Sequence, residues 1–162
     1  GHEIGFHPGY QAGMDKDVWL EEYEALRSAL PKSEPMQGGR QHFLRFQVPE
    51  TWRYWAEAGF NYDASLGFAD KAGFRCGTSH PFPVYDLKER RQLSLYEHPL
   101  IVMECSVLDE RYMGHNKEGA IAYMLGLKEN CQKFEGKFVL LWHNSRLVSE
   151  EEKGIYKAVL QG

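Results

Sequence analysis

Five candidate strands, each stopping near a residue that can do chemistry, constrain this chain more than any other feature. They end near His7, Arg40, Asp63, Glu104 and His143, and helical stretches or crossovers separate them. Ile4 and Phe6 alternate with polar or small neighbours, as a short buried strand does, before Pro8-Gly9 turns the chain. Leu100 to Met103 is a continuous apolar run, which suits a strand buried on both faces of a parallel sheet, and Glu104 terminates it. Phe138 to Trp142 leads straight into His143. Strands alternating with helices predict right-handed βα units and an α/β fold. In such folds the strand ends carry the chemistry, so His7 and His143 are candidate ligands or proton carriers.

Four helices follow from spacing and capping. Asp15 or Asp17 can cap a first helix whose Trp19, Tyr23, Leu26 and Leu30 form one apolar stripe, ended by Pro31. Pro49-Glu50-Thr51-Trp52 opens a second, with Trp52, Trp55 and Ala56 facing inward and Gly59 closing it. Ile121, Met124, Leu125 and Lys128 mark a helix from about Glu118 to Phe134, and Ser149 with Glu152 forms a capping box for the last, whose inward residues are Ile155, Tyr156 and Val159.

Met36 to Phe46 concentrates hydrogen-bond donors. Gly38 and Gly39 allow close backbone approach, and Arg40, His42 and Arg45 then arrive within six residues, interleaved with Phe43 and Leu44. If this is a strand end, alternation places Arg40 and His42 on one side. Phe60 to Ser65 reads as a short alternating strand. Residues 66 to 99 read as an irregular connection, rich in glycine and proline, of the kind that is functional or covers a site. Within it Phe74-Arg75-Cys76-Gly77-Thr78 is the most motif-like piece, and Arg75 is the candidate substrate contact.

The order of motifs resembles the NodB-homology polysaccharide deacetylases. His-Glu-Ile-Gly-Phe-His looks like that family's second motif, in which two histidines four residues apart bind the metal; His7 matches the first, and Gln11 stands where the second is expected. The sequence is closer to a divergent branch reading roughly EIGxHPSY; Tyr10 and Arg45 are further candidate substrate contacts. Arg40 is the nearest match to the arginine that orients the catalytic carboxylate, and His143 matches the general acid of the last motif, Leu-x-His. His42 is a candidate replacement ligand on chemistry and proximity, not on the family pattern.

The resemblance implies a distorted (β/α) barrel, of which 1–162 would be a single domain lacking its N-terminal strand or strands. The family's first motif, with its metal-binding and catalytic-base aspartates, would lie upstream. It further implies a divalent metal, typically zinc, held by His7, with His42 as the replacement ligand proposed on chemistry alone, and a carbohydrate substrate losing its N-acetyl group. In that mechanism His143 delivers a proton while His7 ligates as a neutral ring.

The competing expectation is a catalytically inactive deacetylase-like domain that binds carbohydrate or acts in polysaccharide biosynthesis. A different amide or ester hydrolase on the same scaffold is a third. The formal charge of -4 and the scattered Lys and Arg argue against nucleic acid, and no apolar run reaches the roughly 20 residues of a membrane span. Cys76, Cys105 and Cys131 are odd in number and fit no metal or redox spacing, which points to buried thiols in a reducing, cytoplasmic setting. An unclosed parallel sheet would leave edges for a missing segment or a second copy to cover.

Overall fold

A computed structural model describes residues 2–162. The chain is mixed α/β and divides into two compact units, the first made of 1–66 and 81–98, the second of 67–80 and 99–162.

In the first unit, helix α1 (Lys16–Ala29) starts where Asp15 accepts hydrogen bonds from the Asp17 and Val18 amides. Strand β1 (Gly38–Gly39) follows, then helix α2 (Glu50–Glu57), strand β2 (Tyr62–Asp63) and the pair β3 (Phe82–Asp86) and β4 (Arg91–Glu97). The sheet order is β1-β2-β4-β3; β1, β2 and β4 run parallel, and β3 is antiparallel to β4. Phe6 extends the sheet as a parallel bridge to Gly39.

This close approach explains both glycines. A Cβ on Gly39 would lie 1.9 Å from the Phe6 carbonyl oxygen, and one on Gly38 would meet the Tyr62 ring at 2.5 Å. The core is aromatic: Phe6, Trp19, Trp52, Trp55 and Phe60 are buried together with Val84, Leu93 and Leu95. Gln41 is buried against this core, and with its amide oxygen turned inward it accepts from Trp19 Nε1 and Trp55 Nε1 at 3.1 and 3.2 Å.

In the second unit, strands β5 (Val102–Met103) and β6 (Leu140–Leu141) pair in parallel. Helix α3 (Glu104–Leu108) leaves β5 directly; α4 (Lys117–Lys133) is capped by Asn116 and α5 (Glu150–Gln161) by Ser149. Ile101, Val102, Val107, Met124, Ile155 and Val159 form its largely aliphatic core.

The α/β class and the expected helices are present. A closed barrel is not formed among the described residues; the strands lie in a four-stranded and a two-stranded sheet. Part of 66–99 is regular where irregularity was expected, because Leu93, Leu95 and Glu97 alternate inward along β4 against β3. Glu104 opens a helix rather than only ending a strand. Among the described residues no helix is long and apolar enough to cross a membrane.

Candidate functional site

The Phe6–Gly39 bridge assembles the first cluster. The Phe6 amide donates to the Gly38 carbonyl at 3.0 Å and the Arg40 amide to the Phe6 carbonyl at 2.9 Å, so His7 emerges beside Arg40 and His42. His7 Nδ1 lies 2.7 Å from the Arg40 carbonyl oxygen. A carbonyl only accepts, so Nδ1 carries the proton, and a neutral His7 turns the lone pair of Nε2 outward. His42 Nδ1 lies 3.0 Å from that Nε2 and, with the His7 proton on Nδ1, donates to it. A carbonyl fixing the far nitrogen of an imidazole is the usual support of a metal-ligating histidine.

His42 does not reach this position by strand alternation. Residues His42–Leu44 make a 3-10 turn in which Phe43 and Leu44 both have positive φ, 57° and 50°. The Arg40 side chain leaves the imidazoles: its Nε donates to the Ala64 carbonyl at 2.7 Å. Burial lowers its pKa from the ordinary guanidinium value, and the charge of Asp63 opposes that shift.

Beneath Arg40 lie two buried carboxylates on neighbouring strands, Asp63 and its register partner Glu97. Glu97 accepts from Trp52 Nε1 at 3.0 Å and from the Leu66 amide at 2.9 Å, and Asp63 accepts from Ser65 Oγ at 2.5 Å. Burial pushes Asp63 up to about 6. It pushes Glu97 well above the ordinary carboxylate range, with the Asp63 charge adding to the effect.

Tyr10 and Arg45 come together. The Arg45 guanidinium lies over the Tyr10 ring, 4.2 Å from its centroid, and Nη1 donates to the Tyr10 carbonyl at 3.0 Å.

The second cluster is built by the β5–β6 register. Met103 pairs with Leu141, so Glu104 and His143 follow within two residues of paired positions. Glu104 is wholly buried, while the His143 side chain is 43% exposed, and His143 Nδ1 lies 2.5 Å from Glu104 Oε1. The carboxylate oxygen accepts the Nδ1 proton, which leaves Nε2 to exchange one with a reactant. Glu104 Oε2 is buried with no hydrogen-bond partner. Ligand atoms of Glu104, Cys105 and His143 all lie within 4.8 Å of one another, a group that could hold a metal ion. Burial and the Glu104 charge raise the Cys105 thiol pKa.

Arg75, the expected substrate contact, belongs to this unit and donates from Nη1 to the Gly67 carbonyl at 2.7 Å. Sequence reasoning left Cys105, Asp63 and Glu97 out of the site. Cys105 sits in no spacing motif, and the two carboxylates meet only through the β2–β4 pairing.

Fold and geometry thus define a mixed α/β protein with two histidine clusters at strand ends, one steadied by a backbone carbonyl and one by a buried carboxylate. No family model, curated protein or solved structure matches the chain.

Proposed function

We propose that the protein is a metal-dependent hydrolase that removes an acyl group, N-acetyl on the closest reading, from a sugar or polysaccharide. The observation that carries this is the His7–His42 pair, with nitrogens 3.0 Å apart and His7 locked by the Arg40 carbonyl. Two imidazole nitrogens at that separation can face one divalent ion, and nitrogen ligands suit zinc. A zinc site needs at least one further protein ligand, and the deacetylase resemblance assigns that place to an aspartate.

A divalent ion held there would supply Lewis acidity, lowering the pKa of a water and polarising the acyl carbonyl. The chain's own residues do the rest. His7 Nε2 would be one ligand, and His42 Nδ1 would become the other on giving up the proton it shares with His7 Nε2. Arg40 is a positioning residue, its charge beside the buried Asp63. The resemblance gives the proton transfer to the leaving amine to His143, whose Nδ1 is anchored on Glu104 and whose Nε2 is left to carry the proton.

The test is acetate release from an N-acetylglucosamine oligomer by zinc-loaded protein. His143→Ala should lower kcat by about a hundredfold or more while leaving zinc bound. Absence of acetate release from the zinc-loaded wild type, with the sugar still bound, would favour the inactive carbohydrate-binding domain.

One observation favours a second reading. The partnerless Glu104 Oε2 beside Cys105 and His143 would be satisfied by an ion held there, in which case His143 is a ligand and not the acid. Cobalt(II) distinguishes the two, because ligation by Cys105 adds a thiolate charge-transfer band that Cys105→Ser abolishes.

A further inference from the structure

The turn that carries His42 holds more strain than the placement of His42 explains. Phe43 (φ 57°, ψ 19°) and Leu44 (φ 50°) lie consecutively in the left-handed region, which bulky residues rarely adopt, at a cost of order 1–3 kcal/mol each. Core packing is no reward for Phe43, which is 74% exposed.

The turn is nevertheless pinned at both ends. Gln41 is buried under the Trp19 and Trp55 indoles, and its amide donates to Ser65 Oγ at 2.9 Å. Arg45 is clamped on Tyr10, and its carbonyl backs onto Gly13 so closely that a Cβ there would meet it at 2.6 Å. The result is an aromatic ring held in water. It stands edge-on to Tyr10, centroids 5.6 Å apart, and edge-on to His42 at 4.6 Å.

We propose that Phe43, framed by Tyr10 and His42, is a stacking platform for a neutral pyranose ring, which it presents to the His7–His42 pair. This deepens the hydrolase reading and rests on it for the substrate class. The surroundings select the ligand. Arg45, which closes the same turn, is already engaged by the Tyr10 ring and carbonyl, so an anion gains little from it. The Leu44 and Arg45 amides are consumed by the Gln41 and His42 carbonyls, so the turn offers no strand edge to a peptide. What remains is an apolar face bordered by imidazole nitrogen, which suits a ring with C–H groups on one face and hydroxyls on its rim.

The experiment is calorimetric titration of the full chain with the N-acetylglucosamine tetramer, in EDTA so that turnover does not intervene, alongside thermal unfolding. Phe43→Ala should weaken binding about tenfold or more, and Phe43→Trp should stay within about threefold of wild type. Phe43→Gly is the sharper variant. Glycine relieves the positive φ, so its Tm should rise while sugar binding falls. Phe43→Ala binding the tetramer like wild type, with zinc-dependent acetate release intact, would overturn the platform and leave the hydrolase reading standing. Phe43-dependent binding without acetate release by the zinc-loaded protein would do the reverse. Wild type that ignores the tetramer, or that prefers adenosine, would end the platform proposal.

Discussion

The two units use the same residue type at a strand end and surround it differently. In the first, His7 is steadied by a backbone carbonyl over an aromatic core with two buried acids and an arginine. In the second, His143 is steadied by a single buried carboxylate over an aliphatic core. A carbonyl fixes a tautomer without adding charge, which suits a ligand. A carboxylate fixes the same nitrogen and adds a negative charge that must be answered, which suits a group that gains and loses a proton.

The largest expected effect separates the units by backbone clearance. Gly39→Ala forces a Cβ to 1.9 Å from the Phe6 carbonyl, a backbone atom that cannot swing aside, and should cost more than about 4 kcal/mol. Hydrogen exchange should show protection lost across 1–66 and 81–98 and kept in α4 and α5. Gly126→Ala, inside α4 with nothing within 4 Å of its Cβ, should instead stabilise by about 0.5–1 kcal/mol. Equal loss of protection in both units for Gly39→Ala would break the comparison.

A smaller effect sharpens it. Asp63 is held at about 6 in the folded chain, and Glu97 lies above its ordinary range, so the native state binds more protons than the unfolded chain between about pH 4 and 6. Stability contributed by the neutral form is present below the unfolded pKa and is lost as pH rises through the folded one, by up to about 1.4 kcal/mol per pH unit for each proton held. Asp63→Asn should flatten that slope in urea unfolding followed from pH 4 to 7. An unchanged slope would mean that the pair is not the source.

Much of this was legible in the sequence because it is local. Asp15 and Ser149 cap helices as their spacing predicts, and Leu100 to Met103 and Leu140 to Trp142 mark where Glu104 and His143 must emerge. His7 and His42 meet as expected, although through a turn rather than through alternation.

What escaped depends on pairing or strain. The alternation of Leu93, Leu95 and Glu97 was masked by the glycines and prolines before it. The Asp63–Glu97 pair exists only once β2 lies against β4. Nothing in the residue types Phe43 and Leu44 announces positive φ, which their propensities oppose. Cys105 reaches His143 through the β5–β6 register, which no linear spacing encodes.

The most direct test of the central claim is a zinc titration of the purified protein against a chromogenic chelator, repeated for His7→Ala and Cys105→Ser. The account predicts one bound equivalent in wild type and in Cys105→Ser, and at least about tenfold weaker binding in His7→Ala. Zinc retained without His7 and lost without Cys105 would contradict it and move the metal to the Glu104–His143 end of the chain's chemistry.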